Sequence, residues 1–385
     1  MAYISEFQIS NFRCYEAAAL RDLASAPVVL YGANGAGKTN ILEALSFLVP
    51  GRGLRAAKVG EIQRQSSDRT TAPWAVSAVA EGPYGTTRLG TGADADSERR
   101  LIRINGVAAK GQNALGEYLS AVWLTPQMDR LFLDASGTRR RFLDRLVFAF
   151  DGGHAGRVTR YENAMSQRAK ILKDPHNHPD PVWLEGLEVS MAETGVAIAA
   201  GRLDFMQRLQ SACDRAGREE DALFPRAHLA VRGSIEEMLL RLPALEVESL
   251  FKYQLKESRA QDAVSGGAAT GPHKSDLLVR YLAKNMPADQ CSTGEQKALL
   301  IGIVLAHSRL IQAERGAPPI LLLDEVAAHL DENRRRGLYD LLLSMRGQVW
   351  MTGTDISLFD AIRGQARIFE VAQAQLRDAP LSAVA

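Results

Sequence analysis

Eight consecutive residues constrain this chain more than any other part of it: Gly32-Ala33-Asn34-Gly35-Ala36-Gly37-Lys38-Thr39, which match the phosphate-loop pattern GxxxxGK[ST]. Glycines let the backbone curl until successive N–H groups point at phosphate oxygens, and the helix that follows adds its positive N-terminal end. Lys38 is placed to reach the β- and γ-phosphates and the Thr39 hydroxyl to ligate Mg2+, with Asn40 next in line on the helix. The flanks supply the context such a loop requires. Val28–Tyr31 is an apolar run that stops at Gly32, and Ile41, Leu42, Leu45 and Leu48 fall at helical spacing. Strand, glycine loop and helix together predict an α/β fold that binds ATP with Mg2+.

A second segment completes the expected nucleotide site. Ile320–Leu323 reads as a strand buried on both faces of a parallel sheet, and Asp324-Glu325 follow it directly. A carboxylate at the end of such a strand is costly unless it meets a cation, so Asp324 is the candidate Mg2+ ligand. Glu325 lies one step beyond, where it can polarise an attacking water. Read without the loop, the same pair is a helix cap behind a core strand.

A large insertion separates these two halves, and shortly before the second comes Cys291-Ser292-Thr293-Gly294-Glu295-Gln296-Lys297, opening an apolar helix. Ser-x-Gly at a helix N-terminus offers a hydroxyl, backbone N–H groups and the helix dipole to an anion. The segment resembles the signature motif of ABC ATPases, which holds the γ-phosphate bound on another subunit's P-loop. By itself it is also an ordinary capping box, with Ser292 as cap and Glu295 three positions on. Gln127, after the strand Val122–Leu124, sits where ABC proteins keep a Q-loop glutamine that senses Mg2+ and the attacking water. The segment Ala328–Asp331 resembles a D-loop. Met351-Thr352-Gly353-Thr354-Asp355 occupies the switch region, where transporter-type ABC proteins carry histidine. Thr352 or Thr354 is available for the γ-phosphate; neither is charged, which predicts slow hydrolysis with Glu325, Gln127 and Lys38 as the catalytic set.

Composition narrows the class. At 385 residues two lobes are expected, and 46% hydrophobic with 24% charged residues is ordinary for a folded soluble chain. The formal charge is only +1, so a nucleic-acid surface has to be a local patch or be assembled by pairing subunits. Three cysteines, Cys14, Cys213 and Cys291, form neither a disulfide framework nor a metal-binding pair, which fits a reducing cytoplasm. The N-terminus lacks a signal-peptide pattern, and the longest apolar run, Ala298–Ala306, is about half the length that crosses a bilayer. His176 and His178 sit in a proline-rich turn and His273 reads as a packing residue, so no metal site is expected of the histidines.

The order of motifs predicts an ABC/SMC-like P-loop ATPase head, a mixed-sheet core, with a helical arm inserted between the P-loop and the signature. Residues 1–150 are assigned to the first part of the head, 151–262 to the arm, 263–372 to the second part of the head and 373–385 to a tail without pattern. The Gly/Ala/Ser stretch Val264–Gly271 reads as a flexible junction.

At this level the chain resembles the RecF family, compact relatives of SMC heads that act in bacterial recombinational repair. Ser10–Tyr15 is similar to the family's opening NFR-x-Y, Gly32–Ala44 to its P-loop helix, and Pro126–Asp144 to its segment of paired arginines and F-L-D. Gly271–Asp276 is similar to its GPHR-x-D. Gln127 stands where acidic residues are common in the family, and Lys274 where arginine is usual. The resemblance implies an ATP-dependent homodimer that recognises gapped or duplex-flanked DNA. With RecR and RecO it helps load RecA onto single strands covered by single-strand-binding protein. Arg13, Arg52, Arg55 and Lys58, and the cluster Arg139-Arg140-Arg141, are the candidate phosphate contacts; that cluster equally suits a subunit contact or a structural role, and Arg334–Arg336 reads as a solvated helix face. The alternatives are a transporter-type ATP-binding subunit and an SMC-like structural ATPase. The first is disfavoured by the missing switch histidine and the second by the absence of heptad repeats. A nuclease of the ABC-plus-Toprim type needs a further domain, and only about 30 residues follow the switch region.

Overall fold

Ile320–Leu323 is a strand with every residue buried, hydrogen-bonded on both sides to parallel neighbours, as four consecutive aliphatic residues require. The computed structural model describes residues 2–65, 73–82, 85–94, 99–174, 181–216 and 223–379. The chain divides into a head, Met1–Asp129 with Val304–Ala385, and a lobe, Arg130–Ile303.

In chain order the head begins with β1 (Tyr3–Phe12), β2 (Tyr15–Leu20), β3 (Val28–Tyr31), α1 (Lys38–Ser46) and the single turn α2 (Val59–Ile62). It continues with β4 (Ala75–Gly82), β5 (Gly85–Ala93), β6 (Arg100–Ile104), β7 (Val107–Ala108) and β8 (Ala121–Leu124). The lobe contains α3 (Ser136–Phe148), α4 (His154–Lys173), α5 (Pro181–Ala216), β9 (Ala227–Arg232), α6 (Ser234–Leu239), α7 (Ala244–Glu257), α8 (Arg259–Ser265), β10 (Asp276–Tyr281) and β11 (Met286–Pro287). Helix α9 (Thr293–Arg315) starts in the lobe and ends in the head, which closes with β12 (Ile320–Leu323), α10 (Glu332–Ser344), β13 (Val349–Gly353), β14 (Arg367–Ala372) and β15 (Gln375–Asp378).

The head holds two six-stranded sheets. One is antiparallel in the order β2-β1-β4-β5-β6-β7; the other runs β15-β14-β3-β13-β12-β8 and is parallel except for β15. Asn105-Gly106 closes the β6–β7 hairpin with both residues at positive φ, as that dipeptide predicts. Residues of both sheets and of α1 share one core, in which Phe7 meets Trp350 edge-on at 5.9 Å and Phe12, Phe47 and Trp74 cluster. Gln348, itself fully buried, joins the sheets through four hydrogen bonds, of which the one to Ala24 is partly buried. Its amide oxygen accepts from the Ile4 N–H at 3.0 Å and Trp350 Nε1 at 3.1 Å, and its nitrogen donates to the carbonyls of Ile4 at 2.9 Å and Ala24 at 3.0 Å.

The lobe differs from the helical arm expected at 151–262. It begins at Arg130 and reaches Ile303, and it contains a three-stranded antiparallel sheet, β11-β10-β9. Ion pairs explain why α3 and β10 belong to it. Asp144 of α3 accepts from Arg202 of α5, at 2.8 Å on each oxygen, and pairs with His154 of α4 at 2.8 Å; Arg139 of α3 pairs with Asp276 of β10. Arg168, Glu188 and Asp262, each about 1% exposed, form a buried triad that Arg259 completes from the surface side. A triad of this kind tolerates loss of a member poorly, because the partners stay buried and charged. The stretch read as a flexible junction is tied down: Ala268 is buried, the Ala269 N–H donates to Asp262 Oδ1 at 2.9 Å, and His273 Nε2 meets the Ala268 carbonyl at 3.0 Å. Burial pushes the His273 imidazole down to about 4, so it stays neutral and packs against Tyr161, whose hydroxyl lies 2.7 Å from Nδ1. The proline-rich turn with His176 and His178 lies outside the described residues, as do the last residues of the tail, 380–385. The remainder of the tail is not patternless: β14 and β15 form a hairpin turned by Gln373 and Ala374.

Gln348→Leu leaves two backbone groups of Ile4, one of Ala24 and the Trp350 indole without partners. Each unsatisfied buried group costs about 1–3 kcal/mol, so urea denaturation is expected to give a loss of stability above about 3 kcal/mol, against a far smaller loss for an exposed Gln375→Leu control.

Candidate nucleotide site

The parallel sheet brings the site residues to one edge. Gly32 follows β3, Asp324 follows β12, Thr352 lies near the end of β13 and Gln127 comes just after β8; β3, β13, β12 and β8 are consecutive neighbours. Ligands of α/β sheets gather at such C-terminal strand ends. The loop from Gly32 to Gly37 has positive φ at Gly32 (151°), Gly35 (79°) and Gly37 (110°), and α1 starts at Lys38. Only glycine suits the first and last positions: a Cβ on Gly32 would lie 2.2 Å from the Val371 carbonyl oxygen, and one on Gly37 would lie 2.7 Å from Tyr15 Oη. The loop rests on the β14–β15 hairpin, where the Ala374 N–H donates to the Ala36 carbonyl at 3.3 Å.

Lys38 is buried and its ammonium donates to the carbonyls of Gly32 at 2.6 Å and Ala33 at 2.9 Å, inside its own loop. Burial pulls its pKa down while Glu325 and Asp324 pull it up. Asp324, 4% exposed, has the opposite problem: burial raises its pKa, against hydrogen bonds from Thr352 and Thr39 that lower it. Thr39 Oγ1 lies 2.9 and 3.0 Å from its two oxygens, and Thr352 Oγ1 donates to Oδ1 at 2.8 Å. The Thr352 hydroxyl also accepts from the Glu325 N–H at 2.9 Å. Glu325 has φ 53°, an uncommon backbone state for a residue with a side chain, and Thr352 pins it there. Sequence reasoning offered Thr352 or Thr354 to the γ-phosphate; in the structure Thr352 is engaged with Asp324 and Glu325, while Thr354 is exposed. Gln127 is exposed in a one-turn 3-10 segment after β8, whose Leu124 carbonyl accepts from the Asp324 N–H at 2.9 Å.

These residues fit a nucleoside triphosphate with a divalent cation. A buried ammonium held by the carbonyls of its own glycine loop at a helix N-terminus suits an anion, and a buried carboxylate beside a threonine hydroxyl suits a cation. Thr39 and Asp324 would be the protein's oxygen ligands to Mg2+, which keeps further positions for phosphate and water. Among the described residues no group of three or more His, Cys, Asp or Glu forms an all-protein metal cage.

In the lobe, the predicted signature residues sit at the start of α9, with Ser292, Thr293 and Gly294 exposed. Ser292 and Glu295 form the capping box: the Ser292 N–H and hydroxyl each lie 2.9 Å from Glu295 Oε2. Lys284, which sequence reasoning missed, pairs with Glu295 Oε1, and this ion pair, with the bonds from Ser292, holds Glu295 down at about 2. No sequence signal marks Lys284; it reaches Glu295 from the β10–β11 turn.

Several basic candidates have structural partners. Glu43 of α1 is fully buried, and Arg13 (2.6 Å) and Arg55 (2.9 Å) both pair with it, a role that no local pattern in the chain announces. Arg55 also donates to the Asn40 side-chain oxygen at 2.9 Å. Arg139 grips Asp276 with two bonds at 2.7 and 2.8 Å, and Arg140 donates to Ser136 Oγ at 3.0 Å and the Ser275 carbonyl at 2.7 Å. Arg52, Lys58 and Arg141 are exposed and form no ion pair among the described residues.

A P-loop on a mostly parallel sheet, an Asp-Glu pair at the end of the adjoining strand cluster and a Ser-x-Gly helix start define an ATP-binding ATPase of the ABC/SMC head class. The sequence profile of the RecF/RecN/SMC N terminal domain matches residues 3–376. The chain is 46% identical over 371 residues to the DNA replication and repair protein RecF of Mesorhizobium japonicum, covering 96% of each, and 45% identical over 370 residues to that of Agrobacterium fabrum, with 96% of each covered. Among solved structures, the recombination mediator protein RecF-ATPrS in the RecFOR pathway superposes with a TM-score of 0.85 at 20% identity, covering 98% of both chains. An Smc head bound to the C-winged helix domain of ScpA superposes at 0.52 with 16% identity, covering 99% of this chain and 98% of that one. The chain belongs to the RecF family and is a DNA-repair ATPase of that family. No described helix is long and apolar enough to cross a membrane.

Two outcomes follow from the geometry. Thr352→Val removes both bonds that fix Asp324 and Glu325, so kcat is expected to fall by about tenfold or more, the equivalent of one lost hydrogen bond to a charged group; nucleotide affinity without Mg2+ changes little, and Thr352→Ser restores turnover. Asp324, with its folded pKa raised, favours the folded state at low pH and costs stability as pH rises through the carboxylate range. Nucleotide-free Asp324→Asn is therefore expected to melt above the parent at pH 7, to lose that advantage below the carboxylate range, and to lose Mg2+-dependent hydrolysis.

Proposed function

We propose that ATP is the glue of a head-to-tail homodimer, in which the Ser292–Gly294 cradle of one copy meets the γ-phosphate held on the other copy's P-loop. The observation that carries this reading is the exposed helix start itself: a serine hydroxyl, a glycine with open space around it and the solvent-facing N-terminal end of a 23-residue helix, capped in the single copy by Glu295. Such an end is an anion site, and an anion held by a P-loop is what a second copy supplies.

Within each copy, Gly32 to Asn40 would bind the phosphates, Lys38 would neutralise the terminal ones, and Thr39 and Asp324 would hold Mg2+, with Gln127 as a further residue for the metal and the attacking water. Bound Mg2+ supplies charge compensation on the phosphate oxygens. Glu325 would orient and polarise the water. Without a charged switch residue, and with Thr352 committed to the Asp324–Glu325 elbow, hydrolysis would be slow and stimulated by DNA.

Closure of the dimer would place two copies of a modest basic surface side by side, which suits a chain of formal charge +1. Arg52 and Lys58 in the head and Arg141 in the lobe are the contacts we favour for DNA phosphates, because they form no ion pair among the described residues; Arg13 and Arg55 would hold the head segment in place, and Arg139 and Arg140 the lobe helix. The relatives' name, DNA replication and repair protein RecF, and a structural neighbour described within the RecFOR pathway support DNA as the target and a place in that pathway; gapped or duplex-flanked DNA, RecR and RecO as partners and loading of RecA are what the family resemblance implies.

Sizing the protein with and without ATP and DNA, beside Lys38→Met and Ser292→Arg, tests this. ATP is expected to convert monomer to dimer. Lys38→Met should lose nucleotide binding and dimer together, whereas Ser292→Arg should keep nucleotide binding in the monomer and lose the dimer. Ser292→Arg that still dimerises with ATP removes the shared-phosphate arrangement.

A further inference from the structure

Cys14 is exposed, yet its sulfur lies against the phosphate loop. Asn40 Nδ2 donates to Cys14 Sγ at 3.1 Å, and a Cβ on Gly37 would lie 2.9 Å from that sulfur. The same point on Gly37 is 2.7 Å from Tyr15 Oη. Tyr15 is fully buried, and its hydroxyl has no hydrogen-bond partner among the described residues. A buried hydroxyl without an acceptor is costly; one aimed at the spot beside a solvent-reachable thiol marks a place where an acceptor oxygen is missing. The other two cysteines lack this setting: Cys213 and Cys291 are both buried, and burial pushes the Cys213 thiol up to about 12.

We propose that Cys14 is an oxidation site that gates the phosphate loop, with Tyr15 Oη and Asn40 Nδ2 as donors to the oxygen added on its sulfur. The oxidant is hydrogen peroxide. The Cys14 thiolate attacks one peroxide oxygen, an S–O bond forms as the O–O bond breaks, and the leaving hydroxide takes a proton to become water. Sulfur loses two electrons, the peroxide gains them, and the product is the sulfenic acid, which thiols reduce back. A Cβ on Gly37 would already crowd the sulfur at 2.9 Å and Tyr15 Oη at 2.7 Å, so an oxygen drawn between Tyr15 and Asn40 pushes on Gly37 and displaces the end of the phosphate loop. Nucleotide in the loop and oxygen on Cys14 therefore exclude one another. This gating rests on the ATP site described above.

The test treats the full-length protein with hydrogen peroxide, traps sulfenic acid with a 1,3-dione carbon nucleophile and maps the labelled peptides by mass spectrometry, with and without ATP. In parallel, binding of a fluorescent ATP analogue is measured before peroxide, after peroxide and after a thiol reductant. Label is expected on Cys14 and not on Cys213 or Cys291, reduced by ATP, with affinity falling about tenfold or more and returning on reduction. Tyr15→Phe should label less at equal peroxide exposure, and in Cys14→Ser the ratio of affinities before and after peroxide should be one. Absence of label on Cys14, label without loss of affinity, or a peroxide effect that persists in Cys14→Ser overturns the proposal. Failure of the untreated protein to bind nucleotide would instead remove the ATP-site reading, and the labelling arm, which needs no nucleotide, separates the two.

Discussion

A single buried carboxylate organises the catalytic edge of the head. Asp324 follows a strand buried on both faces, and its charge is tolerable only because hydroxyls from two other elements reach it, Thr39 from the first turn of α1 and Thr352 from β13. The phosphate loop, the β12 end and the β13 end are thereby fixed to one atom group, and the Glu325 N–H is fixed through Thr352 at one remove. The arrangement trades stability for function. Burial raises the Asp324 pKa, so the charge that a metal requires is a burden on the nucleotide-free fold.

The same need to match buried charge decides which arginines are free for other work. Glu43 is on the core side of α1, and two arginines are spent neutralising it. In the lobe, Asp276 and the Ser275 carbonyl take Arg139 and Arg140, and Arg168 is divided between Glu188 and Asp262. These pairs are weak evidence for net stability, since desolvation offsets much of the attraction, but breaking one leaves a bare buried charge. A cluster such as Arg139-Arg140-Arg141 thus divides its labour along the helix: two residues lock α3 to the turn before β10 and to β10 itself, and the third faces solvent.

Most of the nucleotide site was legible because its chemistry is local in sequence. The glycines, Lys38 and Thr39 lie within one turn, and a strand of four aliphatics ending in Asp-Glu needs no tertiary knowledge to read. What the sequence hid depends on distant partners or on backbone states without a residue signature. The β14–β15 turn uses Gln373 and Ala374 at positive φ, where Asn-Gly would have announced it, as it did at Asn105-Gly106. The lobe sheet was missed because β9, AHLAVR, pairs with a strand, DLLVRY, that lies beyond three intervening helices. The lobe boundaries shifted for a related reason. Asp144, read as part of a family segment, turned out to be the anchor that pulls α3 onto α4 and α5.

The start of α9 shows why capping box and anion cradle need not be rival readings. In one copy the Ser292 N–H and hydroxyl are satisfied by Glu295, as any exposed helix start prefers. A phosphate oxygen arriving there, as proposed for a second copy, has to displace a carboxylate that stays ionised throughout the physiological range. Two anions on one donor set repel, so the exchange proceeds only if Glu295 swings away with its charge still compensated. Lys284, which already pairs with Glu295 from the β10–β11 turn, would supply that compensation. In the proposed dimer the capping box would then act as a threshold: weak anions would fail to open it, and a triphosphate fixed on a rigid loop, whose approach is already oriented, would be the ligand best suited to do so.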